Sequence, residues 1–165
     1  MNGIIVIDKP AGRTSRAVVE EVRRVLGIKK AGHTGTLDPL ATGVLPVCLN
    51  EATKLVQFLA LDTKDYRATL LLGVRTDTLD TEGSVLGREE PRVTPQAVQE
   101  TLRSFTGRRA QVPPRYSAVK FKGRPLYEWT RQGIAVAQTP REVEIYDLRI
   151  EEIRLPEVIF TVSCS

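Results

Sequence analysis

Cysteine and histidine are nearly missing from this chain: Cys48 and Cys164 are its only thiols, and His33 is the single imidazole among 165 residues. One histidine and two distant cysteines offer no Cys-x-x-Cys or His-x-x-x-His spacing, so a metal site is not expected. They also fall short of a disulfide framework, and reduced thiols in a cytosol are the simpler expectation. No apolar run approaches the ~20 residues of a membrane span. The start MNGIIVIDKP lacks a basic segment followed by a long apolar one, so a cytoplasmic location is expected. There is no GxGxxG and no GxxxxGK[ST], hence no expectation of a nucleotide cofactor. Internal repeats and low-complexity linkers are absent as well.

What remains suits one soluble domain. The chain is 41% hydrophobic and 27% charged, and a chain of this size buries ~70% of its unfolded surface. The net charge is +4 and the sequence pI is near 9.3. That excess permits nucleic-acid binding without establishing it. Its distribution says more. From Arg108 to Arg131 lie Arg109, Arg115, Lys120, Lys122 and Arg124, with Glu128 the only acid and Tyr116, Phe121, Tyr127 and Trp129 interleaved. Cations of this kind neutralise phosphates while aromatic faces stack on unpaired bases. A solvated basic surface over a core of aromatics is the structural alternative.

The pattern alternates strands and helices, which predicts an α+β domain. Residues 3–8 read as a buried strand, with Ile4, Ile5, Val6 and Ile7 as a continuous apolar run, ended by a turn at Lys9-Pro10-Ala11-Gly12. Thr14 or Ser15 caps a helix to Leu26, with Val18, Val22, Val25 and Leu26 on one face and Gly27 at its end. A strand follows at 44–49, and a helix at 51–61 carries Leu55, Phe58 and Leu59 as its stripe. Residues 66–73 read as a strand. The acidic run 77–83 has Leu79 where a calcium loop needs a ligand, so a polar loop is expected. Thr94-Pro95 starts a helix with Val98, Leu102 and Phe105 on one side, closed by Gly107. Strands at 116–122, 141–155 and 158–165 and a helix at 125–132 complete the reading.

Between Ala31 and Pro46 fall Gly32, Gly35, Gly43, Pro39, Pro46, His33 and one carboxylate, Asp38. Gly32 and Gly35 permit turns and close backbone approach, and Pro39 restricts the aspartate before it. Such a loop presents one acid in one place. The same Asp-Pro pair also reads as a helix cap with proline in the first turn.

The run GHTGTLDPLATGVLPVC (32–48) resembles the signature of the TruB family of tRNA pseudouridine synthases. GIIVIDKPAGRTS (3–15), EATKL (51–55), YRATLLLGVRTDTLDTEG (66–83) and PPRYSAVKFKGRPLYEWTRQG (113–133) resemble further blocks of that family, in family order. The resemblance implies a mixed, largely antiparallel sheet flanked by helices. It implies conversion of uridine 55 in the tRNA T loop to pseudouridine, with no cofactor and no metal, in an enzyme that is monomeric at full length. The short N-terminus and the Pro113–Ala118 segment suit the bacterial branch.

Carried over by motif, the resemblance implies that Asp38 is the catalytic residue, as nucleophile or as general base. Tyr66 stacks on the flipped uracil, and His33 occupies the space that the base vacates. Lys9 and Pro10, with Gly32, Gly35 and Pro39, support the loop. Lys120, Lys122, Arg124 and Arg131 lie in a thumb-like insertion around 113–142 that grips the T arm. The family's Lys-Gly-Thr-Tyr-Ile-Arg-like motif and its C-terminal RNA-binding domain are expected beyond Ser165 and are absent here. A sheet cut at that point should expose an unpaired strand edge, and Asp38 should lack a cationic neighbour. The alternative reading is a non-catalytic RNA-binding or RNA-folding module.

Overall fold

Alternation, not burial on both faces, organises the first strand. In the computed structural model, which describes residues 1–59 and 63–165, β1 (Gly3–Lys9) turns Ile5 and Ile7 to a core and leaves Ile4 and Val6 44% and 65% exposed. The expected doubly buried strand is corrected for a physical reason. The helix α1 (Ser15–Leu26) supplies its valines to a core on one side of the sheet only. The chain divides into two compact units, Met1–Asp62 and Thr63–Ser165, where length predicts one domain.

In the first unit β3 (Gly43–Leu49) lies between β1 and β2 (Ala31–His33), antiparallel to both. Thr14 caps α1 by accepting a hydrogen bond from the Ala17 amide at 3.1 Å. Gly27 closes it in the left-handed region at φ 59°, where a side chain would be strained. Val18, Val19 and Val22 meet Leu45, Val47 and Leu49 in the core. Val25 and Leu26, assigned to the same stripe by spacing, are exposed. Each buried valine or leucine contributes about 1.5–3 kcal/mol, against ~1 kcal/mol for a cap. Packing therefore holds α1, and the cap fixes where it starts.

The helix expected at 51–61 is a 3-10 segment, Asn50–Leu55, followed by the short α2 (Val56–Leu59). Its last two expected positions, 60 and 61, lie outside the described residues. Leu55 and Phe58, placed on an apolar stripe, are exposed.

The second unit is built on a four-stranded antiparallel sheet, with β4 (Lys64–Leu71), β11 (Glu157–Cys164), β10 (Arg141–Arg154) and β7 (Gly107–Gln111) adjacent in that order. The strand at the end of the sequence is therefore interior. It pairs with β10 on one side and β4 on the other, and the open edges belong to β4 and β7. An unpaired strand edge is thus present in this sheet, on β4 and β7 and not on the last strand.

The helix α3 (Pro95–Arg103) packs Val98 and Leu102 around the fully buried Val158. It ends at Ser104, so Phe105 leaves the stripe and Gly107 opens β7 instead of closing the helix. The polar stretch 77–83 is the connection of a hairpin, β5 (Val74–Thr76) with β6 (Val85–Arg88). Of the strand expected at 116–122, only β8 (Lys120–Phe121) forms, paired with β9 (Arg124–Pro125). Lys122 and Gly123 both have positive φ, 49° and 80°, as a two-residue hairpin turn requires. The helix α4 (Leu126–Arg131) follows at once. No helix among the described residues is long and apolar enough to cross a membrane.

Candidate active site and nucleic-acid interface

Asp38 is exposed, yet the residues on both sides of it are tied down. Before it, Leu37 has its amide and its carbonyl bonded to the Ser15 hydroxyl, at 2.9 and 3.0 Å. After it, the Pro39 carbonyl accepts from Gly12 N at 2.8 Å and from Lys9 Nζ at 3.1 Å. Gly12 reaches this position at φ 78°, a conformation natural to glycine. The Leu37 side chain packs on the core of the first unit. The acid stands on a loop seated on the turn between β1 and α1.

Lys9 is 0% exposed. Its Nζ donates to the carbonyls of Pro10 at 2.9 Å, Arg13 at 2.7 Å and Pro39 at 3.1 Å. An ammonium has three donors, and each finds an oxygen. Burial of such a group is costly unless its hydrogen bonds are met, which is why carbonyls converge here. Pro10 lends this cage its carbonyl while its ring is exposed.

The cap reading of Asp38 is corrected. No helix follows it. The Ala41 amide donates to the Asp38 carbonyl at 3.1 Å, closing a turn that leads into β3. Among the described residues no ion pair reaches the carboxylate.

His33 ends β2 opposite Val47, and the next amide, Thr34 N, donates to the Pro46 carbonyl at 3.2 Å. Its Nδ1 is buried with no hydrogen-bond partner among the described residues. Burial holds the imidazole below its ordinary value, opposed in part by the Gly35 backbone. The neutral ring is thus favoured in the fold. On acidification the unfolded chain takes up a proton first, so stability should fall as pH drops through about 6.5 and level off below the folded value. His33→Gln removes this contribution. Its melting temperature should fall less than that of the parent between about pH 7.5 and about pH 5.5; equal losses in thermal melts would refute it.

A Cβ added at Gly35 meets nothing within 4 Å, and one at Gly32 meets only Val56 Cγ2, at 4.0 Å. Packing of the described residues does not demand glycine at either place.

Tyr66, Lys120, Lys122, Arg124 and Arg131 belong to the second unit. Tyr66 sits on the edge strand β4 in register with Val162, 40% exposed. It borders an open groove with Arg67, Arg149, Thr161 and Ser163. In the basic segment the hairpin and α4 share one aromatic cluster. Phe121 and Trp129 meet edge to face with centroids 6.1 Å apart, and Trp129 Nε1 donates to the Phe121 carbonyl at 3.2 Å. Lys122 lies over Phe121 at 5.6 Å, Arg124 over Trp129 at 4.9 Å and Arg131 over Tyr127 at 5.4 Å. Lys120 is exposed in β8. The rings are thus neither core residues nor isolated from the cations. Phe121, Trp129 and Tyr127 attract Lys122, Arg124 and Arg131 by cation–π interaction.

Sequence reasoning missed Ser15 and Gly12 as parts of the loop's seat. The tandem hydroxyls Thr14-Ser15 were one signal, since a single helix start needs only one cap.

A family model described as TruB family pseudouridylate synthase (N terminal domain) matches residues 23–165. The chain is 62% identical over 165 residues to tRNA pseudouridine synthase B of Syntrophus aciditrophicus (strain SB), covering 100% of this chain and 53% of that protein. It is 57% identical over 166 residues to the protein of the same name from Geotalea uraniireducens (strain Rf4), covering 100% of this chain and 54% of that one. The chain therefore spans about half the length of the curated relatives it matches. Among solved structures, a crystal structure of a Cbf5-Nop10-Gar1 complex matches with TM-score 0.72 and 31% identity, over 98% of this chain and 39% of the other. The structure of an H/ACA RNP bound to a substrate RNA containing 2'-deoxyuridine matches with TM-score 0.68 and 28% identity, over 98% and 37%. The family model spans nearly the whole chain and the ordered sequence blocks agree with it: the chain belongs to the TruB family of pseudouridylate synthases.

Proposed function

We propose that this chain carries the catalytic aspartate and part of the RNA grip of a tRNA pseudouridine synthase acting on uridine 55 of the T loop. The observation that carries the reading is the seating of Asp38, exposed between two backbone-anchored residues. The reaction breaks the bond from N1 of uracil to C1′ of ribose, turns the base, and joins C5 to C1′. The C5 proton leaves to solvent and N1 gains one, so atoms balance without an oxidant, a donor nucleotide or a metal. The base must first leave its stack, at a cost of a few kcal/mol. Asp38 then serves as nucleophile or as base towards the sugar. Tyr66 offers a face for the flipped uracil. His33 fills the place that the base leaves, and the open space at Gly35 suits close approach of the RNA backbone. A cytoplasmic monomer without a cofactor fits this role.

The test is tritium release from a T-arm stem-loop labelled at uridine C5. Release above the RNA-alone background is expected. Binding of the stem-loop without release would favour the RNA-binding module instead. The thumb-like segment has its own test. Substituting Lys120 and Lys122 together with alanine should weaken stem-loop binding and flatten its salt dependence, by about 0.7 in log–log slope for each phosphate no longer neutralised. An unchanged slope would remove these lysines from the interface.

A further inference from the structure

We infer that Ser15 is a positioning residue for the acid Asp38, an inference that rests on the role of Asp38 proposed above. Ser15 is 2% exposed. It stands at the first position of α1, but the cap is supplied by Thr14, so its hydroxyl is not engaged at the helix end. That hydroxyl spans 22 residues of sequence to donate to the Leu37 carbonyl and accept from the Leu37 amide. A hydroxyl is one of few side-chain groups that can donate and accept through one atom.

The consequence lies in the torsions. The Leu37 carbonyl is the oxygen of the peptide that joins Leu37 to Asp38, and Ser15 holds it. The Pro39 carbonyl is held by Lys9 and Gly12. Between these two anchored oxygens the backbone has only φ and ψ of Asp38 and of Pro39. The pyrrolidine ring fixes one of the four. The remaining torsions cannot change independently while both anchors hold, so the Asp38 Cα–Cβ direction is set. Releasing the Leu37 anchor frees the peptide entering Asp38 and lets the carboxylate wander. Alanine removes the anchor while preserving the helix start, because Thr14 is untouched.

The experiment compares the parent protein with Ser15→Ala, Ser15→Thr and Asp38→Asn. It reads tritium release kinetics, Leu37 amide hydrogen exchange and thermal melts. A displacement of about 1 Å at a reacting group costs on the order of a hundredfold. Ser15→Ala should therefore lower kcat by about 10- to 100-fold, with KM for the stem-loop within about threefold. Its Leu37 amide should exchange faster while the fold still melts cooperatively, and Ser15→Thr, which keeps the hydroxyl, should recover most of kcat. Asp38-dependent turnover with an unaltered kcat in Ser15→Ala overturns the positioning role alone. A rise in KM at unchanged kcat, or a kcat loss that Ser15→Thr does not repair although it melts like the parent, also overturns it. Turnover that survives Asp38→Asn, or no turnover in the parent, removes the reading of Asp38 and the positioning role with it.

Discussion

Asp38→Asn should abolish tritium release from the T-arm stem-loop, a loss of roughly 10⁴-fold or more, with the fold intact. The substitution keeps the shape of the side chain and removes only its ability to ionise. The turn that follows is closed through the backbone oxygen of residue 38, not through the carboxylate. The Leu37 and Pro39 anchors are main-chain groups as well. Melting temperature should therefore change by less than about 2 °C, since nothing buried loses a partner. RNA affinity should hold or rise slightly, by no more than about threefold, because one negative charge is removed beside a polyanion. Stem-loop binding, a melt and a turnover assay on the same preparation decide the matter. Retained turnover removes Asp38 from the chemistry, and a large loss of melting temperature assigns it a structural role.

The other large effect falls on stability. Lys9→Met is expected to lower the melting temperature of the first unit by about 10 °C or more. Methionine matches the length of the lysine stem and suits a buried place, so the packing of the aliphatic part survives. What disappears are donors to three carbonyls. Pro39 keeps a second donor in Gly12 N, so Pro10 and Arg13 carry the deficit. Both bonds are part-buried, and a carbonyl left without a partner there costs about 1 kcal/mol, the low end of the range for a buried polar group. Two of them outweigh the relief of no longer burying a cation, because the carbonyl cage already repays that burial. At 4–8 °C per kcal/mol for a unit of this size, about 2 kcal/mol gives the shift stated. Differential scanning calorimetry of both proteins would show it. A variant as stable as the parent would mean that desolvation of the ammonium dominates, as it does for some buried ions.

Several of these features were legible from residues alone. Thr14 before a valine-rich run, with Gly27 after it, marks both ends of α1, because capping is local chemistry. Thr94-Pro95 marks the start of α3 for the same reason. The hairpins were not legible. The β5 and β6 strands are three and four residues long, too short for a period of two to register. Lys122-Gly123 lies in a stretch whose alternation mimics a longer strand. Phe105 keeps helical spacing from Val98 and Leu102, yet the helix stops at Arg103, since local turn bonds at Ser104 compete with another helical turn. The site divides in the same way. The loop's glycines, prolines, histidine and aspartate form one short run, so motif reading finds them. Ser15 is 22 residues from Leu37, and no spacing rule links a helix start to a loop that far along.

The interior place of β11 has a temporal consequence. During synthesis Leu71 emerges early, but its partner is Glu157, so at about 5–20 residues per second the edge of β4 waits some 4–17 s for roughly ninety more residues. The first unit waits at most about half as long, for β1, β2 and β3 all lie before Asn50 and Gly3 pairs with Leu49. A nascent chain therefore carries a first lobe already finished, its acid loop seated, while the strand pair of the second is still half made. Contacts of such long sequence separation form slowly even in a complete chain. The wait exposes Leu70 and Leu71 to other unpaired strands in a crowded cell. On the ribosome, the vulnerable interval of this protein belongs to its second lobe.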